Sequence, residues 1–286
     1  MNGRTEVNRP VLRYHGGKWR LAPWIISHFP EHRIYAEPFG GAGSVLMRKP
    51  RSAAEVYNDL DEDVVNVFRV LRDPVASGRL VQALRLTPWS RVEFNESYTE
   101  AGDPVERARR TILRAFMAHG STHRRAHRTG FRAKSWVQRQ PAQTEWLKYP
   151  EEIMAFVERL RGVTIECRPA LEVIRQQDSP QTLFYVDPPY VLSSRTSVRW
   201  QCEADGWRAY AHNLSDQEHT ELLAVLRSAE GMVVISGYES DLYNEALRDW
   251  RKVTKTANAD GGIRRTEVLW ISPNVPAAQH ELFREG

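Results

Sequence analysis

The feature that most constrains the fold is the stretch at residues 183–190, which reads Leu-Phe-Tyr-Val-Asp-Pro-Pro-Tyr. Its apolar, aromatic and β-branched run follows Asp178-Ser179-Pro180 and ends at two prolines, which predicts a short buried strand. Asp187 then stands at the carboxyl end of this strand. Ligands bind in the crevice beyond the strand ends of an open α/β sheet, so the pattern favours a ligand site there. An Asp-Pro pair without these neighbours would indicate only a turn.

The residues at this strand end suit a planar ring that carries an amino group. Two prolines fix the backbone, so that a peptide carbonyl beside Asp187 can face the same space as the carboxylate. This gives two acceptors for the two hydrogens of an exocyclic amine, and Tyr190 offers a flat face for stacking. The segment resembles the Asp-Pro-Pro-Tyr motif of amino-group DNA methyltransferases that use S-adenosylmethionine. The resemblance implies that the catalytic residues are Asp187, Pro188, Pro189 and Tyr190.

A second feature is a glycine-rich turn between a strand and a helix. Residues 34–39 predict the strand, residues 40–43 (Gly-Gly-Ala-Gly) the tight turn, and residues 44–47 the start of the helix. Glycines at such a turn let a ligand approach the backbone closely, although the pattern also fits NAD-binding sheets. The next predicted strand ends at Asp59, which is placed to hold ribose hydroxyls. The alternative is that Asp59 or Asp61 caps the following helix.

Two further motifs strengthen the resemblance. Residues 39–43 resemble the Phe-x-Gly-x-Gly loop that binds S-adenosylmethionine in the same methyltransferases. Residues 15–18, His-Gly-Gly-Lys, resemble the amino-terminal motif of the Dam-type (class alpha) DNA adenine branch, in which a flanking aromatic residue and the lysine contact the cofactor. The motifs also follow the order of that branch. The residues that this resemblance implies for binding S-adenosylmethionine are Tyr14, Lys18, Phe39, Gly40, Gly41, Gly43, Asp59 and Asp187.

One position departs from the family pattern. Related enzymes commonly carry an acidic residue just before the helix that leads to the catalytic strand, near the adenine of the cofactor. Here Arg168-Pro169 occupies that place. The departure favours weaker binding of the cofactor, and it keeps open the alternative of a catalytically impaired DNA-binding homologue.

Basic residues are concentrated in one block. The chain has 40 lysines and arginines and 36 acidic residues; residues 107–144 hold ten of the former and none of the latter, which leaves the rest with a net charge of −6. A charged run is usually a solvated surface, but a block that reverses the charge of the rest is typical of contact with a phosphate backbone. The expected DNA-binding residues are Arg124, Arg125, Arg128, Arg132 and Lys134.

The block lies in a segment with a helical pattern. One predicted helix opens with Asp103 as its N-cap and leaves Arg107, Arg110 and Arg114 nearer the outer face. Another predicted helix covers about residues 150–160. In the resembled family this part of the chain holds the target-recognition region, so we expect it to contact DNA.

The end of the chain completes the predicted fold. Two strands, at about residues 250–256 and 266–271, are joined by Asp260-Gly261-Gly262, which indicates an antiparallel hairpin. The expected fold is α/β, with a Rossmann-like S-adenosylmethionine-dependent methyltransferase sheet, an antiparallel terminal hairpin and a mainly helical inserted target-recognition domain. The expected domains are a discontinuous catalytic domain at residues 1–73 and 151–286, and the inserted DNA-recognition domain at residues 74–150.

Composition and terminal segments indicate a cytoplasmic protein. No apolar run approaches the roughly 20 residues of a membrane helix, and the first residues lack the apolar core of a signal peptide. Cys167 and Cys202 match no metal-ligand spacing, so we expect no metal site. We expect a monomer that binds double-stranded DNA, with a cognate restriction endonuclease as a candidate partner.

The predicted reaction is transfer of a methyl group from S-adenosylmethionine to the exocyclic amine of adenine in DNA. That amine is out of reach inside a duplex, so the base has to flip out of the stack. A cytosine amino-group DNA methyltransferase would need the same two acceptors and is the nearest alternative. Methylation of RNA or of protein glutamine explains the basic block less well.

Overall fold

One mixed sheet of seven strands organises the described part of the chain. The strands are β1 (Ile34–Glu37), β2 (Ala54–Asn58), β3 (Val163–Glu166), β4 (Thr182–Val186), β5 (Met232–Gly237), β6 (Arg251–Asn258) and β7 (Arg264–Ile271). Their order across the sheet is β3-β2-β1-β4-β5-β7-β6. The computed structural model describes residues 6–14, 16–121, 123–126, 128–133, 142–191, 213–258 and 264–276.

The strand pairing places a crevice at the middle of the sheet. Strands β1 to β5 run parallel, and β7 is antiparallel to both of its neighbours. The chain proceeds outward from β1 to β2 and β3 and then returns to β4 on the other side of β1. Such a reversal leaves a gap at the carboxyl ends of the two central strands, where ligands bind in open α/β sheets. The mixed α/β sheet agrees with the predicted fold class.

The described residues form ten α-helices, which pack on the sheet or on one another. They are α1 (Ala22–Ile26), α2 (Ser44–Arg48), α3 (Glu62–Arg72), α4 (Pro74–Arg85), α5 (Arg91–Glu96), α6 (Pro104–Met117), α7 (Ala142–Leu160), α8 (Ala170–Gln177), α9 (Asp216–Ser228) and α10 (Asp241–Ala246). Asp61 accepts hydrogen bonds from the backbone N–H groups of Asp63 and Val64 and therefore caps α3, as one of the sequence alternatives proposed. None of the described helices is long and apolar enough to cross a membrane.

Hydrophobic packing covers both faces of the sheet. On one face, α9 and α10 pack over β4, β5 and β7 through residues such as Leu222 and Tyr243. On the other face a single core runs from the sheet into α4, α5, α6 and α7, and it includes Leu80, Phe94 and Phe116. The helices between β2 and β3 are thus packed directly onto the sheet.

Helix α7 is longer than predicted. It begins at Ala142, eight residues before the expected start near Pro150. Trp146 and Tyr149 are buried in the same core as Ile153 and Phe156 from the second half of the helix. The Trp146 indole also donates to the Thr87 carbonyl at 2.9 Å. This packing maintains the helix through Pro150, although a proline inside a helix removes one backbone hydrogen bond.

The prediction that Arg114 lies near the outer face of α6 was wrong. Its side chain is 1% exposed, and its guanidinium donates to the carbonyl oxygens of Ser97 and His123 and pairs with Asp63 at 3.1 Å. Burial lowers the pKa of Arg114 to about 10. A buried charge is tolerated when acceptors surround it, and here Asp63 supplies the countercharge from α3.

Candidate active site

The Asp-Pro-Pro-Tyr segment at residues 187–190 follows the carboxyl end of β4, as the sequence predicts. The Asp187 carboxylate has a different partner on each oxygen: Ser236 donates its hydroxyl to Oδ1 at 2.8 Å, and Lys18 Nζ lies 3.1 Å from Oδ2. Lys18 is 5% exposed and also donates to the Gly16 carbonyl at 2.9 Å. Lys18 of the amino-terminal motif and Asp187 of the Asp-Pro-Pro-Tyr segment, which are far apart in sequence, are therefore in direct contact.

Tyr190 lies beside the same lysine. Its hydroxyl donates to Glu267 Oε2 of β7 at 3.2 Å, and its ring meets the Tyr238 ring edge-on with centroids 4.5 Å apart. Lys18 Nζ is 4.9 Å from the centroid of the Tyr190 ring. The orientation of the Tyr190 ring is thus set by Glu267 of β7 and by Tyr238, which directly follows β5.

An open cleft lies at the carboxyl ends of β1 and β4. It brings together most of the residues that were predicted to bind the cofactor. Gly43 does not line the cleft; it precedes α2 with a left-handed φ of 62°. The predicted residues in the cleft wall are Tyr14, Lys18, Phe39, Gly40, Gly41, Asp59, Asp187 and Pro189.

The glycine turn is held tightly against β2. The Gly40 N–H donates to the Asn58 carbonyl at 2.7 Å, and the Tyr57 hydroxyl donates to the Gly41 carbonyl at 2.6 Å. A Cβ atom on Gly40 would lie 2.2 Å from the Tyr57 ring, well inside contact distance. Glycine at this position therefore allows the ring and the backbone to approach, and the backbone of the turn remains open to the cleft.

Asp59 supports this turn. One carboxylate oxygen accepts the Gly41 N–H at 2.7 Å, and the other accepts the Asp61 N–H at 2.8 Å. Burial raises the pKa of Asp59, although these two hydrogen bonds act in the opposite direction. Each oxygen retains a lone pair, so Asp59 can still accept a hydrogen bond from a hydroxyl in the cleft.

Glu37 is a cleft residue that the sequence interpretation missed. It ends β1, is buried, and accepts hydrogen bonds from the Tyr35 hydroxyl at 3.0 Å and the Leu46 N–H at 3.1 Å. Burial raises the pKa of Glu37 to about 8. A signal was available, because Glu37 is an acidic residue directly before a proline, as Asp187 is, but the predicted strand extended past it to Phe39.

The segment between β2 and β3 also reaches the cleft. His123 Nε2 is 2.9 Å from Asp61 Oδ2, and the His123 ring stacks on Tyr14 with centroids 4.9 Å apart. Burial favours a higher pKa for Asp61, but hydrogen bonds from His123 and the α3 backbone lower it to about 2. Tyr14 and Asp61 both line the cleft. His123 thus supports two wall residues from behind, a contact that sequence spacing does not indicate.

The residues expected to bind DNA have varied surroundings. Arg125 pairs with Asp63 at 3.2 Å, and exposed Arg128 donates to Asn95 and lies over the Tyr98 ring. Arg124 and Arg132 are partly exposed. Lys134 lies outside the described residues.

The Arg168-Pro169 pair, which departs from the family pattern, lies directly before α8, with Pro169 at the N-cap position. The Arg168 guanidinium pairs with Glu172 at 3.0 Å and donates to Gln176, both on α8. The nearby cleft wall includes the apolar side chains of Phe39, Leu60 and Ala170. A planar ring could contact this wall without an acidic partner at position 169.

The sheet order and the cleft are consistent with the class of S-adenosylmethionine-dependent methyltransferases. A family model described as D12 class N6 adenine-specific DNA methyltransferase matches residues 14–258, and the chain belongs to this family. It is accordingly an adenine-specific DNA methyltransferase, and the cytosine alternative is not favoured.

Curated relatives named DNA adenine methylase are similar along most of the chain. The Escherichia coli (strain K12) protein is 25% identical over 278 residues, which cover 91% of this chain and 93% of the relative. The Serratia marcescens protein is 25% identical over 252 residues, or 86% and 87% of the two chains. The Vibrio cholerae serotype O1 protein is 24% identical over 274 residues, or 91% and 93%. The similarity therefore extends over the sheet and over the segment between β2 and β3.

Proposed function

We propose that the cleft holds S-adenosylmethionine and that Asp187 and the Pro188 carbonyl accept the hydrogens of the adenine N6 amine. The observation that carries this proposal is the position of the Asp187 carboxylate, which lines the same cleft as the glycine turn. Family membership supports the use of S-adenosylmethionine. Asp187, Pro188, Pro189 and Tyr190 form the catalytic motif in this proposal.

The polar and apolar groups of the cleft fit the parts of this cofactor. The Glu37 carboxyl can accept a hydrogen bond from the ammonium group of the methionine part, whose charge would favour the ionised carboxylate, and Asp59 suits the ribose hydroxyls. The apolar wall near Ala170 suits the adenine ring. The remaining residues that would contact the cofactor are Tyr14, Lys18, Phe39, Gly40 and Gly41, with Gly43 shaping the turn. When bound, S-adenosylmethionine supplies a methyl group attached to a positively charged sulfur.

The two acceptors that follow β4, the Asp187 carboxylate and the Pro188 carbonyl, would activate the amine. Its lone pair is delocalised into the adenine ring, so the nitrogen is a poor nucleophile. Two acceptors that hold both N–H groups favour a more tetrahedral nitrogen with an available lone pair. The contribution of Asp187 is thus positioning and electrostatic stabilisation. The base has to leave the duplex to reach this site, and the face of Tyr190 offers it a stacking surface.

Residues 74–150 form the DNA-recognition part in this proposal. Their helices share a hydrophobic core with the sheet, and His123 connects this part of the chain to Asp61 in the cleft wall. Most of the arginines of a recognition segment contact phosphates, and few read bases. The candidates are Arg124, Arg125, Arg128, Arg132 and Lys134. We also propose a monomeric enzyme; a cognate restriction endonuclease stays an expectation from sequence.

The Asp187→Ala variant tests the proposal. We expect methyl transfer to plasmid DNA to fall by about 10³-fold or more, because an acceptor that acts on the reacting group is lost. DNA affinity should change little. Tritium transfer from labelled S-adenosylmethionine measures the rate, and mass spectrometry identifies the methylated base. Asp216→Ala, on the surface of α9, is the matched control. Methyl transfer by the Asp187 variant at the normal rate would exclude the proposed role.

A further inference from the structure

Ser236 is a polar residue at the end of an otherwise apolar strand. The preceding residues of β5, from Met232 to Ile235, are buried and apolar. In the parallel register Ile235 pairs with Val186, so Ser236 is level with Asp187. Ser236 is 2% exposed. The serine therefore lies directly beside Asp187, the first residue after β4.

The hydrogen bonds of Ser236 have a defined direction. Its hydroxyl donates to Asp187 Oδ1 at 2.8 Å, and the Tyr185 hydroxyl lies 2.9 Å from the same serine oxygen. A serine hydroxyl has only one hydrogen to donate. Because that hydrogen goes to Asp187, Tyr185 is the donor to Ser236. The order is Tyr185 to Ser236 to Asp187, and it ends on the carboxylate.

We propose that Ser236 is a positioning residue that fixes the plane of the Asp187 carboxylate and assigns Oδ2 as the acceptor for the adenine amine. The inference rests on the role proposed above for Asp187. Rotation of a carboxylate about its terminal bond is weakly restricted, so an external donor is needed to fix its plane. Ser236 occupies Oδ1 from the strand, while Oδ2 is directed to Lys18 at 3.1 Å on the cleft side.

The contact to Lys18 cannot replace this restraint. Lys18 Nζ also lies 4.9 Å from the Tyr190 ring centroid, within the space between the two groups that are proposed to hold the base. When the base enters, the Lys18 ammonium has to move or to share its acceptor with the amine. The serine lies behind the carboxylate on a paired strand, so it holds Oδ1 throughout the reaction. The plane of Asp187 therefore depends on Ser236.

Four variants test this inference in steady-state assays with plasmid DNA. For Ser236→Ala we expect kcat to fall by about 10- to 100-fold, as for loss of a group that orients a catalytic residue. The KM for DNA and the Kd for S-adenosylmethionine by calorimetry should stay within about twofold, because the serine contacts neither ligand. Ser236→Thr keeps the hydroxyl and should recover most of kcat. Tyr185→Phe leaves the bond to Asp187 intact and should cost less than Ser236→Ala. Ser228→Ala, on the surface of α9, is the matched control.

The outcomes separate the two proposals. If Ser236→Ala keeps a kcat within about twofold of the unchanged enzyme, the positioning role is wrong. If it lowers the melting temperature and weakens both ligands together with kcat, the serine is only structural and the inference is also wrong. If Asp187→Ala remains active, the proposed role of Asp187 is wrong, and the inference that rests on it is wrong as well. If Asp187→Ala is inactive and Ser236→Ala is not impaired, only the inference fails.

Discussion

Glu37 and Asp187 end adjacent parallel strands in different surroundings. Asp187 is contacted by the Lys18 ammonium and the Ser236 hydroxyl. Glu37 is fully buried and has two uncharged donors, the Tyr35 hydroxyl and the Leu46 N–H. Burial raises the pKa of Glu37 to about 8, so this carboxyl is mostly protonated at neutral pH.

The raised pKa of Glu37 makes stability depend on pH. Its pKa in the folded protein is about 8, against an ordinary value of 4.5, so the folded state binds the proton more tightly than the unfolded state. The free energy of unfolding should therefore decrease as pH rises from 4.5 to about 8. Above pH 8 the contribution of the Glu37 proton to stability is fully lost. Glu37→Gln should remove this part of the decrease. Urea unfolding at a series of pH values measures it.

Surface Glu31→Gln removes one carboxylate elsewhere and serves as the control for this measurement. An identical pH dependence in the unchanged protein and in the Glu37 variant would contradict the prediction.

Residues in local motifs were predictable from sequence, and residues that act across strands were not. Asp187, Lys18 and the glycine turn belong to short patterns whose chemistry is readable at fixed spacing, and the structure brings them to one cleft. Ser236 reaches Asp187 only through the register of β4 and β5. His123 reaches Tyr14 through a contact between distant segments. Neither register nor such packing is encoded in local periodicity.

The turn between β1 and α2 shows how one element shapes the cleft. Its first glycine has the Tyr57 ring where a Cβ atom would be, and that ring stacks on Phe68 of α3 with centroids 4.2 Å apart. The turn, β2 and α3 are therefore packed as one unit. The family motif leaves position 40 unspecified, so only the structure explains the glycine there.

Replacement of Gly40 by alanine should disturb this unit. We expect the free energy of unfolding to fall by about 1–3 kcal/mol, because the added methyl group overlaps the Tyr57 ring. Affinity for S-adenosylmethionine, measured by calorimetry, should fall as well. Gly78→Ala is the control: Gly78 lies inside α4 with nothing within 4 Å of a new Cβ, so it should stabilise the protein by about 0.5–1 kcal/mol. Equal effects of the two variants would contradict this account of the turn.

At the level of the whole molecule, the basic block is less available to DNA than its composition indicates. In the part of the chain that the structure describes, five of its ten charges pair with carboxylates of the protein. Asp63 serves three of these arginines, and Glu62, Glu93 and Glu106 provide the other acceptors. The paired arginines are Arg107, Arg109, Arg110, Arg114 and Arg125. The spacing of Glu106 to Arg109 and Arg110 on α6 is readable in the sequence. The other partners lie on α3 and α5, so the sequence shows the number of charges but not these pairs.

This pairing predicts a moderate salt dependence of DNA binding. If all ten charges neutralised phosphates, the logarithm of the association constant would fall with the logarithm of salt concentration at a slope near −9. With at least five of them paired inside the protein, we expect a slope of about −5 or less steep. Fluorescence anisotropy of a labelled duplex at several salt concentrations measures the slope. Arg128→Ala should reduce it by about one, whereas Arg175→Ala, on exposed α8, should not. A slope near −9 would show that the internal pairs open on DNA.

The contact of His123 with Tyr14 and Asp61 has a thermodynamic consequence. It belongs at once to the segment proposed to bind DNA and to the wall of the cofactor cleft. If DNA changes the position of His123, the affinity for the small molecule changes by some factor. Linkage then requires the small molecule to change the affinity for DNA by the same factor. The coupling between the two substrates can therefore be altered by substitutions at a single histidine that does not line the cleft.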